Sequence, residues 1–200
     1  MSDLPFFAGT ILVSALCLAG SARPIFANPV PSLTSEVVTL RVADHSLEVT
    51  GRYVFDGNGA GTNLNVLYPI SENWGLGAPR VLWAGIRCSG SKERDLPVRK
   101  TDLGWAWELP FRDTNHCEVT IRYRQELGGT RAEYTLRTAR GWPEPMRSAR
   151  LLVFLPHGVS MKQASYPFRV LWRDRSGTMY VHEETDFVPE NDLIVEWAPA

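Results

Sequence analysis

Apolar and polar residues alternate with period two through Cys117-Glu118-Val119-Thr120-Ile121-Arg122-Tyr123-Arg124, and this pattern constrains the fold more than any other feature. Successive side chains of an extended chain point to opposite faces. Cys117, Val119, Ile121 and Tyr123 therefore share one face and Glu118, Thr120, Arg122 and Arg124 the other, as in a half-buried antiparallel strand. Gly128-Gly129 supplies a turn, and Ala132, Tyr134, Leu136 and Thr138 resume the alternation, so the spacing predicts a β-hairpin over 117–139. The same reading places strands at 37–42, 47–55, 64–68, 81–88, 105–111, 149–155, 169–173, 179–183 and 193–197. No stretch of a dozen residues carries a helical stripe, and 14 Pro with 16 Gly in 200 residues make turns frequent. The expected fold is all-β: an antiparallel β-sandwich of about ten strands, immunoglobulin-like or jelly-roll-like in layout.

The start of the chain reads differently. Residues 11–20 are apolar and give way to small residues, the order of a secretory leader and its cleavage site. A signal peptide over 1–27, with cleavage after Ala22 or Ala27, leaves 28–200 as a single sandwich domain. Asp3 stands where a leader carries basic residues, and the run over 4–20 is barely long enough to span ~30 Å of hydrocarbon. An uncleaved membrane anchor is the other reading, although that length counts against it, and a buried element of the fold is the third. With Cys17 inside the leader, Cys88 and Cys117 remain, and a lone pair in an oxidising compartment predicts a disulfide. The expected location is periplasmic or secreted, with membrane contact only if the leader is retained.

Charge and motif arguments exclude more than they name. Lys+Arg 21 against Asp+Glu 22 gives a net charge of −1, which removes the electrostatic case for a nucleic-acid partner. The loop Asp56-Gly57-Asn58-Gly59-Ala60-Gly61-Thr62-Asn63 begins like a calcium loop, but Ala60 and Leu67 stand where ligands belong, and a hairpin tip explains it. His45, His116, His157 and His182 lack metal-binding spacing, Gly-x-Ser-x-Gly is absent, and Ser89 and Ser91 have no base nearby in sequence. The acid pairs Glu183-Glu184 and Glu190/Asp192 lie at strand ends. No cofactor, metal or catalytic set is predicted.

Two features suit ligand binding. Trp74 and Trp142 lie in loops, where an indole either stacks on a ligand or plugs the end of a sandwich. Arg122, Arg124, Arg131 and Arg137 are placed together on the outward face of the 117–139 hairpin. Such a face attracts an anion, or forms a solvated lattice with Glu118 and Glu133 as cross-strand partners. Trp74, Trp142, Arg122, Arg124 and Arg137 are the candidate ligand-binding residues.

The segments Leu47-x-Val49 to Arg52-Tyr53-x-Phe55, Tyr134-x-Leu136-x-Thr138 to Trp142-x-x-Pro145, and Phe187-x-Pro189-x-x-Asp192-Leu193 resemble bacterial secreted β-sandwich domains of unknown function. The resemblance implies an exported all-β fold and carries over no catalytic residue. The expected function is a non-catalytic interaction module of the cell envelope, contacting an envelope protein through a sheet edge or loops. The alternative is a carbohydrate- or anion-binding module contacting a glycan, and the third reading is a hydrolase whose site assembles only in space.

Overall fold

A computed structural model of the chain describes residues 30–43, 45–69 and 76–200. The predicted leader over 1–27 and Trp74 lie outside the described residues. In chain order the strands are β1 (Ser32–Ala43), β2 (Ser46–Asp56), β3 (Leu64–Tyr68), β4 (Arg80–Cys88), β5 (Arg94–Asp95), β6 (Arg99–Thr101) and β7 (Gly104–Leu109). There follow β8 (His116–Glu126), β9 (Arg131–Tyr134), a 3-10 turn at Arg137–Gly141, β10 (Met146–Pro156), β11 (Val159–Ala164), β12 (Arg169–Arg173), β13 (Gly177–Phe187) and β14 (Leu193–Pro199).

One eight-stranded sheet runs β12-β13-β10-β1-β2-β8-β4-β5, and two three-stranded sheets run β11-β14-β9 and β3-β7-β6. Both small sheets cover the same face of the large one, since the hydroxyls of Tyr68 on β3 and Tyr134 on β9 each meet that of Tyr53 on β2. The fold is an all-β sandwich, as the alternation predicts. Val38, Leu40 and Val42 on β1, Leu47 and Val49 on β2, Val119 and Ile121 on β8, and Leu151, Val153 and Leu155 on β10 are buried at period two. The small sheets add Leu109, Ala132, Leu193 and Val195. Burying such side chains is worth about 1.5–3 kcal/mol each for the larger ones, so the shared interior holds the two layers together.

Two pairing expectations are corrected. The 117–139 hairpin does not form: β8 lies between β2 and β4 in the large sheet, and β9 pairs with β14 in a small one. Alternation reports which face each side chain takes, and Cys117 to Tyr123 and Ala132 to Leu136 do bury the expected face while Thr138 is exposed, but it does not name the neighbouring strand. Nor is the large sheet wholly antiparallel. β1 and β10 run parallel from Ser35↔Ser148 to Arg41↔Phe154, joined through the long connection that β2 to β9 make between them.

Candidate functional site

The centre of the core is polar. Tyr134 donates to Glu36 Oε1 at 2.9 Å, the Tyr53 hydroxyl lies 2.6 Å from that of Tyr134, and Tyr68 lies 2.8 Å from Tyr53. Burial raises the Glu36 carboxyl from 4.5 to about 7, opposed by the Tyr134 hydrogen bond. Burial likewise lifts Tyr53, Tyr68, Tyr123 and Tyr134 well above the ordinary phenol range, and the Glu36 carboxyl adds to the rise at Tyr53, Tyr68 and Tyr134. All five side chains are buried, so the cluster joins the layers and is closed to a ligand. Glu36 went unnoticed in the sequence, although counting back by two from Val38 places it among the inward residues.

The outer face of the large sheet is a lattice of arginines and acids. Glu118 on β8 takes Arg52 from β2 on one side and Arg87 from β4 on the other, and Glu48 takes Arg124. The carboxyl of Glu118 feels partial burial, which raises it, but the two guanidinium groups outweigh this and hold it below the usual range. Farther along, Glu183 binds Arg150 at 3.2 Å and Arg169. Arg122 and Arg124 therefore do lie on an open sheet face, with Glu118 serving neighbours on the adjacent strands. Arg131 lies on β9 near Glu133 (3.6 Å) and Glu196 (3.5 Å), away from that face.

Arg137 and Trp142 belong to a third region, which corrects their grouping with Arg122 and Arg124. The Asp192 carboxylate accepts from the amides of Leu136 (3.0 Å) and Arg137 (2.9 Å) and from Arg137 Nε (2.9 Å), so this arginine braces a corner. The indole of Trp142 packs on Phe55 with ring centres 5.6 Å apart. It plugs one end of the sandwich and borders a cleft of about 160 Å³ with Arg140, Pro143, Pro145, Phe187 and Val188. Arg140 is itself spent on the carbonyls of Pro189 (2.6 Å) and Glu190 (2.8 Å).

Cys88 and Cys117 form the predicted disulfide. They are directly opposed on β4 and β8, with Cα atoms 4.0 Å apart, so the bond joins neighbours in one sheet rather than the two layers. Of the histidines, His182 is nearly buried, with Nδ1 3.0 Å from the Pro167 carbonyl and Nε2 3.2 Å from Glu184. Among the described residues, His, Cys, Asp and Glu nowhere gather in threes in a metal-binding arrangement.

The remaining surface feature is the edge strand β12. Val170 (47% exposed), Leu171 (38%) and Trp172 (39%) stand open on it, and no strand among the described residues pairs with its free side. The register on β13 slips between Val170 and Trp172, so Leu171 is an extra, bulged residue. The Trp172 ring lies 5.9 Å from Phe154, and the Arg41 guanidinium covers the same ring at 4.2 Å. Residues 169–173 read from sequence as a strand, but its edge position depends on the strand order.

No family model and no curated protein matches the chain. Among solved structures it is similar to an M1 zinc metallopeptidase from Deinococcus radiodurans, at a TM-score of 0.54 and 16% identity over 83% of this chain and 42% of that one. Crystal structures of variants of an M1 enzyme, bound to a Tyr-Ser-Ala substrate and to L-arginine, give TM-scores of 0.53 and 0.52 at 12% and 14% identity, with the same coverage. The chain spans less than half the length of these peptidases, and at such identities the likeness is one of fold.

Proposed function

We propose that this chain is a non-catalytic interaction module of the cell envelope, periplasmic or secreted, that takes an extended segment of a partner protein onto the free edge of β12. The observation that carries this reading is the row of exposed Val170, Leu171 and Trp172 on an unpaired edge strand. Edge strands offer free backbone donors and acceptors, and monomeric proteins ordinarily protect them with charge rather than apolar side chains. Arg169, Arg173 and Arg175 flank the apolar row, so the segment that fits is apolar at its centre and acidic at its ends. A second copy of this chain fits poorly: antiparallel pairing centred on Leu171 sets Arg169 against Arg173 at both ends, and opposed like charges are destabilising. The disulfide supports the exported location, because such bonds persist in oxidising compartments. The catalytic activity of the peptidases is not carried over, since the shared fold is 42% of their length.

A photo-crosslinking residue at position 171 in intact cells tests this, with position 39 on the open face of β1 as the control. The expected result is an adduct from position 171 alone, lost in the Val170→Lys variant, whose cross-linked peptide carries acids around an apolar centre. No adduct, an adduct with this chain itself, or a peptide without that charge pattern overturns the reading.

A further inference from the structure

We propose that the outer face of the large sheet carries a binding site for an anionic saccharide, centred on Trp83 and Arg122. It is independent of the β12 edge: six strand steps separate β12 from β4, or roughly 29 Å at about 4.8 Å per step.

The aromatic part of the site is Trp83. Its indole covers Gly85, where even a single added Cβ would run into the ring, so the glycine opens the floor on which the ring rests. The indole Nε1 donates to Asp95 Oδ1 at 3.3 Å, which pins the orientation of the ring. Trp83 is only half-buried, and an indole held in place over a sheet offers apolar surface on which the C–H groups of a sugar ring pack.

The charged part surrounds it. Arg122 on β8 stands directly opposite Trp83, and Arg80 stands directly opposite Arg124. No acid among the described residues pairs with Arg80 or Arg122, and Glu48 is the partner of Arg124. Glu48 balances one of the two opposed arginines and leaves the charge of Arg80 unmatched. With strands about 4.8 Å apart and same-face neighbours about 7 Å apart along a strand, Arg80 and Arg122 bring two guanidinium groups without an acidic partner to diagonal positions beside Trp83, while Arg124 is held by Glu48. Guanidinium groups match sulfate and carboxylate oxyanions with paired N–H donors, which ammonium groups do not.

Titration calorimetry with three oligosaccharide probes, a heparin-derived hexasaccharide, a hexagalacturonate and neutral cellohexaose, tests the proposal and separates sulfate from carboxylate as the anion. One of the two anionic probes is expected to bind, and cellohexaose at least tenfold more weakly. Trp83→Ala and Arg122→Gln are each expected to weaken binding at least tenfold, with Trp83→Tyr retaining most of it. The salt dependence should fall in Arg122→Gln and persist in Trp83→Ala. Trp172→Ala, on the β12 edge, should leave affinity unchanged. Arg122 is exposed, so its substitution leaves the fold intact and keeps the test decisive if Trp83→Ala unfolds. Failure of both anionic probes to bind, binding unaffected by Arg122→Gln, or equal binding of cellohexaose overturns the proposal.

Discussion

Tyr134 on β9 donates its phenol proton to Glu36 Oε1 on β1 across 2.9 Å, inside the closed sandwich. The bond joins a small sheet to the large one, and it places a carboxyl where water cannot solvate its charge. Ionisation is therefore costly, and the folded-state value rises from 4.5 to about 7. Between those values the folded chain holds a proton that the unfolded chain has lost, so stability falls as pH rises through this window. The full difference corresponds to roughly 3 kcal/mol lost by neutral pH. Urea unfolding at pH 4.5 and pH 8 should show this decline, and Glu36→Gln should flatten it and be the more stable protein at pH 8. An unchanged pH slope in the variant would refute the assignment.

Gly51 makes room for a ring. A methyl group there would meet the Tyr53 hydroxyl first and then the adjoining ring carbons. Alanine in place of glycine inside a strand ordinarily stabilises, but here overpacking reverses the sign, and Gly51→Ala should cost about 1–3 kcal/mol. In a Tyr53→Phe background the penalty should shrink, because the atom met first is gone. Denaturant midpoints of the four proteins in this cycle measure that coupling.

The disulfide closes a separation of 29 residues between two directly opposed strand positions. Replacing both cysteines by alanine should lower stability by about 2–4 kcal/mol while leaving the circular dichroism spectrum that of a β protein. The comparison is made by urea unfolding with the wild type kept oxidised.

Asp192 gathers two backbone amides and one guanidinium at the corner that carries Trp142. Asp192→Ala strands the buried Leu136 amide and should cost about 2–3 kcal/mol; Asp192→Asn keeps a carbonyl acceptor and should cost less. The Trp142 fluorescence environment should change with the alanine variant, because the 3-10 turn that leads into it loses its anchor. Equal stability of all three proteins in urea would show that the amides find other partners.

Much of the architecture was legible from local alternation. The buried positions of β2, β8 and β10 follow from period two alone, and β3 and β12 have the bounds the pattern predicts. β5, β6 and β11 were missed; the first two hold two and three residues, too few to show a period. The candidate site was less legible. Trp83 shares a parity with Val81 and reads as its companion on one face, but the register slips between Val81 and Trp83. Val81 thus turns toward Tyr123, and Trp83 toward Arg122. A bulge moves a side chain to the other face without altering the composition around it. Arg137 was grouped with Arg122 because a hairpin was expected, and that grouping dissolved when β8 and β9 entered different sheets.

By itself the sequence determined the faces of the regular strands, where no bulge intervenes: which of their side chains turn inward, that the chain is all-β, and that Cys88 and Cys117 form a pair. These are local properties, set by the two-residue repeat of the extended backbone and by the count of thiols. The tertiary structure decided the neighbours: the parallel β1–β10 pair, the exposed edge at β12, the burial of Glu36 among tyrosines, and the meeting of Trp83 with Arg122. Strands far apart in sequence compete for the same hydrogen bonds, and only the burial of every apolar face in one shared core selects among their possible pairings.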